Sequence, residues 1–111
     1  MNELKSQILD MVDFIDYQSG SVVSRTISKN TKGNITVFAF DKDQGLSEHT
    51  APFDAFVYII DGSAEIKISG DSLLAEKGKM IIMPANEPHS LKAVSKFKML
   101  LVMIKGESEE K

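Results

Sequence analysis

Two periodicities divide the chain. Leu4, Ile8, Met11, Val12 and Ile15 recur at spacings of three and four, with Glu3, Lys5, Gln7 and Asp10 between them, which is the apolar stripe of an amphipathic helix. This predicts a helical segment within residues 1–18, ended by Ser19, Gly20 and Ser21. Beyond that point β-branched and aromatic residues dominate. Strands are predicted over residues 21–28, 34–41, 55–61, 64–69, 72–75, 79–84, 88–94 and 96–105. Turn residues separate them: Thr31-Lys32-Gly33, a hairpin-type Asp61-Gly62, Ser69-Gly70-Asp71 and Lys77-Gly78.

Short strands joined by tight turns, with one helix at the start only, predict an all-β sandwich or barrel rather than an alternating α/β fold. Residues 56–60 (Phe-Val-Tyr-Ile-Ile) and 99–104 (Met-Leu-Leu-Val-Met-Ile) are apolar at every position. Both of their faces are therefore expected to be covered, one by the barrel interior and the other by the N-terminal segment or by a second copy of the chain. A homodimer is expected.

Composition narrows the function classes. At 111 residues, 42% hydrophobic and 26% charged, the chain fits a single domain, residues 1–111, with a frayed acidic tail at 106–111. Sixteen acids against thirteen Lys and Arg give a net charge of −3, so the electrostatic footprint of a nucleic-acid binder is missing. With no cysteine, disulfides and thiolate metal sites are excluded. No apolar run approaches the roughly 20 residues that cross a bilayer, and the acid-containing start does not read as a signal peptide. A cytoplasmic protein with no nucleic-acid or membrane partner is expected.

Candidate chemistry centres on the two histidines, His49 and His89, each at the edge of a predicted strand beside a proline-containing loop. Brought together in one barrel they could ligate a metal, bind a small molecule or move a proton near neutral pH. No serine sits at nucleophile-elbow spacing and no cysteine nucleophile exists, so covalent acyl transfer has no support.

The context of these histidines resembles the cupin superfamily, in particular its short single-domain conserved-barrel members. The second cupin motif is matched by Gly78, then Pro84 after five residues, Asn86 where the motif has glycine, and His89 in register. The first is matched by His49, with Ala51, Ala55 and Gly62 at the spacings of its remaining positions. Fifteen residues separate Gly62 from Gly78. The resemblance implies a cupin-type double-stranded β-helix, or jelly-roll barrel, here with a short N-terminal α-helix.

The departures from that pattern bear on function. Where cupins carry their second and third metal ligands, this chain has Ala51 and Ala55, which have no coordinating atom. No cofactor is therefore expected beyond a weakly held divalent transition metal, on His49 and His89 with Asp54 as the residue that would complete a triad. Strand parity places Asp54 and Glu48 on the opposite face from positions 49, 51 and 55 unless a bulge intervenes. The expected site is a barrel cavity for a small organic ligand, with His49 and His89 as polar anchors, Ala51 and Ala55 leaving room, and Val57 and Met83 in the walls. Further wall candidates are Phe38 or Phe40, Ile59, Leu91 and residues 99–103. The resemblance also implies an alternative, a metal-dependent cupin enzyme (a dioxygenase, isomerase or lyase) acting on a small acid or sugar derivative, with catalytic residues unassigned. A filled barrel serving as a dimeric scaffold is the third reading.

Overall fold

The computed structural model describes residues 4–105. Within the described residues nine strands run β1 (Val22–Asn30), β2 (Gly33–Phe40), β3 (Gly45–His49), β4 (Phe53–Asp61), β5 (Ser63–Ile68), β6 (Asp71–Glu76), β7 (Met80–Met83), β8 (His89–Ala93) and β9 (Phe97–Lys105). They form a five-stranded sheet in the order β1-β2-β9-β4-β7 and a four-stranded sheet in the order β3-β8-β5-β6. Every pairing is antiparallel. The eight predicted strands are present with ends displaced by no more than two residues. β3 was not anticipated, because Gly-Leu-Ser-Glu-His offers one apolar residue and its pattern is exposed except at Leu46.

Alternation along the strands builds the core between the sheets. Ala55, Val57 and Ile59 of β4 are buried while Tyr58 is exposed, and they join Phe40, Ile66, Phe97 and Met99 in one cluster. Phe40 and Phe97, paired across β2 and β9, stack with centroids 4.4 Å apart. In β9 the odd residues Phe97, Met99 and Leu101 face inward with this cluster.

The Asp61-Gly62 step is a corner rather than a hairpin, since β4 and β5 belong to different sheets. Gly62 has φ +76, and a Cβ there would lie 2.0 Å from the carbonyl oxygen of Lys96. A side chain at this corner would meet backbone that cannot yield. The Ser69-Gly70 turn does close a two-residue hairpin, with both residues at positive φ.

The expected N-terminal helix is absent: residues 4–18 form a chain of turns and bends. The helical stripe is not what becomes buried, for Ile8 is fully exposed and Val12 is half exposed, while Ile15 is buried. Met11, Phe14, Ile15 and Tyr17 instead pack on Val37, Ala39, Ile60 and Leu100, on the outer face of the five-stranded sheet. Side chains of that sheet take the carbonyls a helix would have used: Lys98 Nζ donates to Val12 O at 2.5 Å and Arg25 to Phe14 O at 3.3 Å. Asp10 accepts from the Val12 N–H, and Ser6 sits at φ +66. So short a segment forms a helix only weakly by itself, and Asp side chains compete for its backbone donors. Tertiary contacts with the sheet therefore decide its path. It acts as a strap, pinned by the Tyr17 hydroxyl on Asp61 at 2.6 Å. Burial first, and then the hydrogen bond to Asp61, hold that hydroxyl well above the usual tyrosine pKa. The expected tail at 106–111 lies outside the described residues. Among the described residues no helix is long and apolar enough to cross a membrane.

Candidate functional site

His49 ends β3, His89 begins β8, and the two are direct cross-strand partners. A bulge makes this possible. Leu46 pairs with Leu91 and His49 with His89, so β3 spends one residue more than β8 between the two pairs. The extra residue shifts the alternation, bringing His49 onto the face of Leu46 and leaving Glu48 off it. The rings meet edge to face, with centroids 4.5 Å apart and planes at 70°. His89 is buried and His49 exposed, which places His49 at the mouth and His89 inside.

Behind the imidazoles lies a cavity of about 190 Å³. The four-stranded sheet supplies Leu46, His49, His89 and Leu91. The facing sheet contributes Ala55 between its partners Met83 and Met103, with Phe38, Met99 and Leu101 beside them. Among the described residues no charged side chain lines this space. Two larger depressions, of about 540 and 250 Å³, are more open and touch neither histidine.

Of the expected site residues, His49, His89, Ala55 and Met83 line the cavity together, whereas Ala51 and Val57 lie outside its lining. Ala51 is in the β3–β4 connection, where its carbonyl accepts from Asn86 N at 2.8 Å and ties that loop to the one before His89. Val57 is completely buried deeper in the core. Phe38 rather than Phe40 reaches the cavity, and Ile59 does not. Leu46 was not anticipated because its strand was not.

Both rings are oriented by the backbone two residues before them, in β3 for His49 and in the loop ahead of β8 for His89. Nδ1 of His49 lies 2.9 Å from Ser47 O, and Nδ1 of His89 lies 3.1 Å from Glu87 O. Burial lowers the His89 pKa and the proximity of His49 lowers it further, against the opposing effect of the Glu87 carbonyl. Asn86, which stands at a motif glycine, has φ +67. Glycine takes such a φ at no steric cost, and asparagine tolerates it better than most other residues.

Residues 36–105 match the family model described as the cupin domain, well over half of the chain. The chain belongs to the cupin family. This cupin is similar over 97% of its length, at 38% identity and a TM-score of 0.90, to 95% of a conserved protein of unknown function from Streptococcus pyogenes. A cupin superfamily protein from Desulfitobacterium hafniense is 21% identical with a TM-score of 0.87, the alignment covering 95% of this chain and 96% of that one. A cupin 2 conserved barrel domain protein from Leptotrichia buccalis is 33% identical with a TM-score of 0.82, over 85% of this chain and 46% of that one. No functionally curated protein matches.

The metal centre that the cupin fold implies does not fit the donors present. Two imidazoles face the cavity, but alanine stands at the two other motif positions. The Asp54 carboxylate is turned away to accept the Ala85 N–H at 2.8 Å. Among the described residues no three His, Cys, Asp or Glu side chains gather as a metal site, and two imidazoles are fewer donors than a resident transition metal ordinarily takes.

Proposed function

We propose that this cupin is a small-molecule binding protein whose barrel cavity takes an organic ligand against His49 and His89. The observation that carries the reading is the combination of two convergent imidazoles with apolar walls and with alanine, Ala55, where the family places a ligand. Such a concave, mostly apolar space with few polar groups is the usual form of a ligand site.

The active unit is proposed to be a homodimer. The strap covers only part of the outer face of the five-stranded sheet, leaving the cross-strand pair Tyr58 and Met80 exposed, with Ile82 beside them. A second copy would cover this apolar surface. Sedimentation velocity of the full chain should give a dimer that Ile82→Glu converts to monomer.

Elemental analysis before and after loading with iron, manganese, nickel, copper and zinc tests the site itself. Substoichiometric metal, unchanged in His49→Ala and His89→Ala, is expected. One equivalent lost in both variants would overturn the reading in favour of a metal-dependent enzyme.

A further inference from the structure

The class of ligand follows from the hydrogen-bonding state of the two rings, and the inference rests on the binding reading above. A backbone carbonyl only accepts hydrogen bonds, so the contacts to Ser47 O and Glu87 O place the ring hydrogen on Nδ1 in both histidines. In the neutral rings Nε2 then presents a lone pair. No described residue donates to either Nε2, and no buried side-chain nitrogen or oxygen in the described residues is sealed away without a partner. The lone pair of His89 therefore opens onto the cavity that this residue lines.

Among the described residues the remaining wall is hydrocarbon and thioether, with neither a cationic nor an anionic side chain. A carboxylate or phosphate would set acceptors against acceptors between apolar walls, and an ammonium would find no counter-charge among the described residues. The complementary ligand carries its own hydrogen-bond donor and no charge. Size is bounded as well: an apolar cavity of about 150 Å³ holds benzene, so about 190 Å³ admits one ring with a small substituent. We propose that the barrel selects an uncharged hydroxyl compound of about this size, phenolic or alcoholic, whose O–H donates to Nε2 of His89 while its hydrocarbon part lies between Met83, Met99 and Leu91.

The test is calorimetric titration of the full chain with phenol, toluene and benzoate at about pH 8, well above the lowered pKa of His89. Nitrogen-15 spectra of the histidine rings accompany each titration. Phenol is expected to bind about tenfold more tightly than toluene, the effect of one net hydrogen bond, and benzoate at least tenfold more weakly than phenol. Phenol should also shift the Nε2 resonance of His89. In His89→Leu the preference for phenol over toluene should fall below twofold while toluene still binds. The affinity order and the nitrogen shift in the unmodified protein stand even if that variant fails to fold. Equal binding of phenol and toluene, or tightest binding of benzoate, would overturn this assignment and leave the binding site standing. Failure of all three to bind at millimolar concentration would overturn the binding reading together with it.

Discussion

Ala55→Leu separates an open barrel from a packed one. Ala55 is 3% exposed, lines the cavity, and lies between Met83 and Met103 on the adjacent strands. Leucine adds three carbons, worth about 0.8 kcal/mol each if fully removed from water, for a ceiling of about 2.4 kcal/mol. Ordering the longer side chain costs about 0.5–1 kcal/mol, and the mouth beside exposed His49 keeps part of the new surface wet. The expected net change is a gain of about 1 kcal/mol, read as a higher urea midpoint at unchanged slope. Phenol binding in the same variant should weaken at least tenfold, because the added carbons occupy the ligand's place. A loss of 1 kcal/mol or more, the signature of overpacking, would refute the claim that free volume adjoins Ala55 and would support a filled scaffold.

The other expectations concern the strap, a motif loop and pH. Ile15→Ala should cost about 2–4 kcal/mol, as for other buried aliphatic truncations, and a loss below about 1 kcal/mol in chemical denaturation would mean the strap contributes little. Asn86→Gly should leave stability within about 0.5 kcal/mol, whereas Asn86→Val should cost about 1–2 kcal/mol because a β-branched residue is strained at that positive φ; equal melting temperatures for the two would contradict this. His89 has a folded-state pKa below its unfolded value, so the unfolded chain binds more protons as pH falls below about 6.5. Its contribution is full above that pH and is lost on acidification until the folded-state pKa is passed. The urea midpoint should accordingly decline between about pH 7 and 5, less steeply in His89→Gln, and identical pH profiles for the two proteins would count against it.

Strand positions were legible because they rest on local signals. The turn at Ser69-Gly70 follows from residue types that act within a few positions, whereas the exposure of Tyr58 in β4, a strand apolar at every position from 56 to 60, depends on where the strap ends. The histidine pair was legible as two residues awaiting a fold, and the motif spacing placed them together. The path of residues 4–18 was not, because a stripe at helical spacing fits equally a segment whose backbone carbonyls are claimed by Lys98 and Arg25 from distant strands. β3 carries its one inward apolar residue, Leu46, in a polar pentapeptide, and the bulge that aims His49 exists only in the pairing with β8. Ala51 occupies a motif position, yet its backbone bond to Asn86, not its side chain, is what the structure uses.

The hydrogen bond from Lys98 to Val12 O gives the protein a built-in gauge of its own local opening. Lys98 is 7% exposed because the strap lies over it, with the Tyr17 ring 5.0 Å from its amine. An acylating reagent therefore meets this amine only in molecules whose strap has lifted, while exposed lysines such as Lys29 and Lys42 react at once and serve as internal standards. The ratio of the two labelling rates, read by mass spectrometry under native conditions, converts directly into the fraction of time the strap is undocked. Any ligand or second copy of the chain that steadies the strap on this face of the sheet would register as slower acylation at a single residue.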